Sequence, residues 1–75
     1  MYKINLENSE KLLSVKTSYY INALGIAPNS LYVIFRGEAT TKEATAKAII
    51  SIAYDILLTD EKMDELLEKH FIKVK

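Results

Sequence analysis

The chain has 75 residues, with ten cationic and ten acidic side chains for a formal net charge of zero, one histidine and no cysteine. Without thiols it forms neither disulfides nor thiolate metal sites, and a single imidazole rules out a His-His metal pair within one chain. Zero net charge argues against strong non-specific attraction to nucleic acid or an acidic membrane surface, so nucleic acid is a disfavoured partner at this level.

Hydrophobic residues make up 49% of the chain and charged residues 27%, the balance of a folded domain. The length predicts a single domain, residues 1–75, which buries only roughly 60% of its unfolded surface. With no disulfide or thiolate staple, oligomerisation is the expected reinforcement. The opening MYKINLENSE carries no apolar core of the kind a secretory leader has, and the longest apolar stretch is broken by Lys47 and Asp55. The expected location is the cytoplasm.

In chain order, Tyr2, Ile4 and Leu6 alternate with Lys3 and Asn5, predicting a strand over 2–6. Glu7 to Glu10 form a polar turn. Residues 12–23 fit two periods. As a strand, Leu13, Val15, Thr17, Tyr19 and Ile21 share a face; as a helix, Leu12, Leu13, Tyr19, Tyr20, Ala23 and Leu24 form a stripe interrupted by Lys16. The Val, Thr, Tyr and Ile content favours the strand. Gly25 to Ser30 reads as a loop, with Pro28-Asn29 as its turn, and 31–37 then reads as a strand. Its faces are Leu31, Val33 and Phe35 against Tyr32, Ile34 and Arg36, and Arg36 and Glu38 guard its end.

A helix over 41–58 follows, apolar almost all round. Its polar interruptions, Lys47, Ser51 and Asp55, recur every four residues and so form one narrow stripe. Thr40 and Glu43 have capping-box spacing at its start. Thr59 caps a second helix over 60–71, where Met63, Leu66, Leu67, His70, Phe71 and Val74 make an apolar stripe; residues 72–75 alternate and also suit a short edge strand. The expected fold is α+β: a small antiparallel three-stranded sheet (2–6, 12–23, 31–37) with two helices (41–58, 60–71) packed on one face.

Catalytic chemistry finds no anchor. His70 lies on the apolar stripe near a helix C-terminus and reads as a packed ring; the serines lack a nucleophile-elbow context, and the two glycines stand twelve residues apart, so there is no phosphate loop. No cofactor, metal or small-molecule substrate is implied, and the expected class is non-enzymatic. Asp55, Asp60, Glu61, Asp64, Glu65 and Glu68 face one Lys62, an acidic stretch that reads as a solvated helix face. If the helices cover one side of the sheet, the other displays Lys16, Tyr20, Tyr32, Ile34 and Arg36, and Tyr and Arg are the types enriched at binding hot spots. These five form the expected contact surface of a small inhibitor, adaptor or regulator that associates with itself as a homodimer, or with another protein. The surplus apolar surface around Ala48, Ile52 and Tyr54 is a second route to a dimer.

The order YKINL, a candidate helix from Ser9 to Leu24, then GIAPNS resembles ribbon-helix-helix regulators over residues 2–30. The resemblance implies a strand that pairs across a dimer and two helices joined after a Leu-Gly step, hence a dimeric DNA-binding transcriptional regulator as the alternative function. The chain departs from that pattern at the strand, where only Lys3 and Asn5 could read bases, and at the second helix, which would start in LYVIF and meet Gly37.

Overall fold

The computed structural model describes residues 1–55 and 58–74. The class is α+β, but the balance differs from expectation: among the described residues there are five α-helices and one two-stranded antiparallel sheet, not three strands and two helices. In order they are β1 (Tyr2–Ile4), a 3₁₀ turn (Leu6–Asn8), α1 (Glu10–Leu13), α2 (Thr17–Leu24), α3 (Pro28–Phe35), α4 (Glu43–Tyr54), α5 (Asp60–His70) and β2 (Phe71–Lys73).

The sheet joins the two ends of the chain. Lys3 pairs with Ile72 and Ile4 with Phe71, so the strand expected at 2–6 forms over its first three residues and the alternating tail supplies its partner. On its other edge, Tyr2 exchanges two 2.7 Å backbone hydrogen bonds with Thr41. The strand of the ribbon-helix-helix resemblance is therefore engaged within its own chain.

The strands expected over 12–23 and 31–37 are helical, and burial explains why. In a strand, Tyr20 would share the outer face with Lys16; in α2 it turns inward and loses all solvent exposure, while neighbouring Tyr19 stays 59% exposed. In α3 the apolar run resolves into Leu31, Ile34 and Phe35 inside and Tyr32 and Arg36 outside, a spacing of i, i+3, i+4. A continuous apolar run fits either period, and β-propensity measures packing context more than backbone preference. What decides here is the punctuation. Gly25 adopts the left-handed conformation (φ 65°) and its N–H closes α2 on the Ile21 carbonyl at 2.9 Å, while Pro28 occupies the first turn of α3. Glycine just beyond one helix and proline just inside the next is the usual asymmetry of helix ends.

The helix expected at 41–58 forms over Glu43–Tyr54 as α4, ending where Asp55 turns left-handed (φ 49°) and leaving Leu58 outside it. The helix expected at 60–71 is α5, Asp60–His70; residues 56 and 57 lie outside the described residues. The capping box at Thr40 and Glu43 does not form. Thr41 is drawn into pairing with Tyr2, Lys42 becomes the cap residue without a side-chain hydrogen bond, and Glu43 accepts from the Tyr2 hydroxyl at 3.3 Å. Thr59 does cap α5, accepting from the Lys62 N–H at 3.1 Å.

Helix α4 is the centre of the core. Its Ala46, Ile49, Ile50 and Ala53 are buried in one cluster with residues of α1, α2, α3 and α5, including Leu12, Tyr20, Leu31, Leu66 and Leu67. Each fully buried Leu or Ile contributes about 1.5–3 kcal/mol, so the four with no exposure (Leu12, Leu31, Ile49, Ile50) carry a large share of a small domain's stability. Among the described residues no helix is long and apolar enough to cross a membrane.

Candidate functional site

The five residues expected to share one exposed sheet face are divided between inside and outside. Tyr20 is fully buried, donates its hydroxyl to the Leu12 carbonyl at 2.7 Å, and meets the Phe35 ring edge-on at 5.1 Å. Burial pushes its phenol up to about 12. Ile34 is also buried. Lys16, Tyr32 and Arg36 are exposed, on α2's cap, the middle of α3 and α3's end respectively. The tyrosine-rich sheet face does not exist because its residues lie on helices, with Tyr20 and Ile34 spent on the core.

A different surface emerges from the same segment. Helix α2, the three-residue link Gly25-Ile26-Ala27 and helix α3 make a compact pair. The inner faces are tied by the Tyr20–Phe35 contact and by the burial of Tyr20, Leu31 and Ile34. Two short helices joined by a three-residue link with a left-handed glycine share that manner of connection with helix-turn-helix units. The outer face of α3 presents Asn29, Tyr32, Val33 and Arg36, spaced i, i+3, i+4, i+7 and thus along one side, with Ser30 beside them. Among the described residues, the side chains of Asn29, Ser30 and Tyr32 make no hydrogen bond within the chain, whereas every buried side-chain polar atom has a partner. The donors and acceptors of Asn29, Ser30 and Tyr32 are available, while Arg36 is paired with Glu38.

Charge is segregated along the chain even though it sums to zero. Between Glu10 and Glu38 the only charged residues are Lys11, Lys16 and Arg36, and there is no carboxylate. The carboxylates expected on a solvated face lie on exposed positions of α5, namely Asp60, Glu61, Asp64, Glu65 and Glu68. Lysines also sit where a helix by itself would disfavour them. Lys16 caps α2 and Lys42 caps α4, both exposed, and neither end has a side-chain acceptor for its first N–H groups. A cation at the positive end of a helix dipole is unfavourable in isolation, and becomes favourable when an anion sits there too. Arg36 lies 3.0 Å from Glu38, a well-exposed pair of little energetic weight.

Other concavities and clusters offer less. An open groove between α2 and α4 is lined by Val15, Tyr19, Asn22, Ala23 and Ile52, which places the surplus expected at Ile52 beside α2. His70 is the packed ring near the end of α5 that its position implies: Nδ1 donates to the Asn8 carbonyl at 2.6 Å and Nε2 accepts from the Tyr54 hydroxyl at 2.6 Å. Burial lowers its pKa below 6.5, with the Asn8 carbonyl opposing and Lys69 assisting. Among the described residues no group of three His, Cys, Asp or Glu side chains could hold a metal ion.

Sequence reasoning passed over Asn29, Ser30, Val33 and Lys42. The signal that could have found the first three is the Gly25 to Pro28 spacing, which marks the end of one helix and the start of another rather than a hairpin loop. The chain matches no family model, no curated protein and no solved structure.

Proposed function

We propose that this chain binds duplex DNA, with α3 entering the major groove and α2 lying across the backbone, and that it works as a pair of identical copies. The observation that carries the proposal is the α2–turn–α3 unit, whose inner face is sealed into the core and whose outer face keeps Asn29, Ser30 and Tyr32 free of hydrogen bonds among the described residues. In helix-turn-helix proteins the second helix contacts base edges and the first crosses the phosphates. Two further features support it. The segment that holds the unit is free of carboxylates, and Lys16 stands at the uncapped N-terminus of α2, where backbone N–H groups and a cation together suit a phosphate. Lys42 adds a second exposed cation at the N-terminus of α4, with the Glu43 carboxylate in the same turn. The zero net charge that disfavours nucleic acid is a sum over two differently charged regions, and binding depends on the region that faces the ligand. Pairing of two copies fits the expected homodimer.

The test is a titration of fluorescent mixed-sequence duplexes at low salt, repeated as salt is raised. Expected is binding whose affinity falls linearly on a log–log plot, with a slope of about −0.9 per phosphate contacted. Lys16→Ala and Lys42→Ala should each flatten that slope by about one contact. Absence of binding at low salt, or variants whose slope matches the parent chain, would sink the proposal.

A further inference from the structure

The outer face of α3 has a base chemistry of its own. Guanine offers two acceptors in the major groove and is most often read by a bidentate arginine or lysine, while cytosine offers a donor that a carboxylate accepts. Helix α3 has neither type: its residues are Pro28, Asn29, Ser30, Leu31, Tyr32, Val33, Ile34 and Phe35. The nearest cation, Arg36, follows the last turn and has Glu38 beside it, whereas the N-terminal residues of such a helix are the ones that reach base edges. At that N-terminal end stands Asn29, exposed and without a hydrogen bond among the described residues, carrying one amide donor group and one acceptor on the same plane. Adenine presents the complementary pair, an N6 donor and an N7 acceptor. One turn further along the same side lie Val33, partly exposed, and Tyr32, 42% exposed, which offer apolar surface rather than charge. The only apolar group on a base edge in the major groove is the thymine methyl.

We infer that the half-site read by α3 is A·T-rich, with Asn29 on an adenine edge and Val33 and Tyr32 against thymine methyl groups. This rests on the DNA-binding proposal and adds the base composition that the α3 side chains select.

The test uses the full chain and a pool of randomised duplexes. After selection, the enriched duplex is resynthesised with deoxyuridine for thymidine, which removes only the methyl groups, and separately with 7-deazaadenine, which removes only the N7 acceptor. Selected half-sites should be dominated by A·T pairs, and each replacement should weaken binding about tenfold. Asn29→Ala should lower the ratio of selected-site to random-duplex affinity about tenfold and abolish the effect of 7-deazaadenine while leaving that of deoxyuridine; its exposed position favours retention of the fold, which far-UV circular dichroism checks. The base replacements need no protein variant at all. Enrichment of G·C half-sites, no enrichment, or insensitivity to both base replacements overturns the inference while leaving DNA binding intact. Failure to bind any duplex overturns both.

Discussion

Tyr20 and His70 show how much of this small core depends on polar groups placed on apolar faces. The Tyr20 ring fills space between α2 and α3, while its hydroxyl reaches the carbonyl of Leu12 and ties α1 to the pair. Nothing in the sequence distinguishes Tyr20 from Tyr19, yet one is sealed and the other is 59% exposed; only the helical period separates them. His70 ties three segments, through Asn8, Tyr54 and its own place at the end of α5. Its backbone carbonyl also takes the Asn5 N–H at 2.8 Å, and the buried Ser9 hydroxyl lies 3.1 Å away. The concavity beside the ring is lined by charges of both signs, Glu7, Glu10 and Lys11 of the N-terminal segment and Lys69 on its own helix, and the Lys11 Nζ sits 5.6 Å from the Tyr54 ring centre. Since burial and Lys69 lower the folded pKa below the unfolded value near 6.5, the unfolded chain binds the proton more readily. The stability His70 contributes is therefore fully present above pH 6.5 and is lost as pH falls from there through the folded pKa. Urea midpoints measured from pH 8 down to 5 should hold steady and then decline below about 6.5. A proton NMR titration that places the His70 ring above 6.5 would contradict this.

At the scale of the element, the helices that frame the core were legible and the two that carry the candidate site were not. Long amphipathic stripes announce α4 and α5, because eleven or twelve residues repeat the 3.6-residue period often enough to be seen. Helices α2 and α3 span eight residues each, about two turns, so their periods are sampled too briefly to outweigh a Val-, Tyr- and Ile-rich composition. Their ends are the better guide. Gly25 has φ 65° and ψ 29°, and a Cβ placed there would meet nothing within 4 Å. The demand for glycine is thus purely one of backbone conformation. Gly25→Ala should destabilise the protein by about 1–2 kcal/mol, the cost of a left-handed L-residue, and Gly25→Asn by less. Equilibrium urea denaturation with an unchanged m-value measures both. An alanine variant as stable as the parent would mean that the turn does not hold α2 and α3 as described.

For the whole molecule, the scale of the candidate site is set by the short reach of α3. Eight residues extend about 12 Å, so on the proposed reading one copy would engage only part of a helical turn of DNA. The charge that would hold it there is also modest, because the cations of the 11–37 segment number three, against an acidic α5 elsewhere on the same chain. Net composition hides that division, which is why the sequence sum points away from nucleic acid while the local pattern points towards it. If α3 reads DNA as proposed, a weakly charged unit with so short a helix would gain from pairing, since a second copy on the same duplex would bind at high effective concentration. Helix-turn-helix pairs meet half-sites about 34–36 Å apart, roughly 10–10.5 base pairs, so that both reading helices approach the same side of the duplex. A duplex with two selected half-sites at that spacing should therefore bind two chains, as determined by sedimentation velocity. Moving one half-site by about five base pairs rotates it to the opposite side and should cost about tenfold or more in affinity by anisotropy. One chain per duplex, with affinity indifferent to the shift, would show that each copy binds alone and that the paired arrangement is wrong.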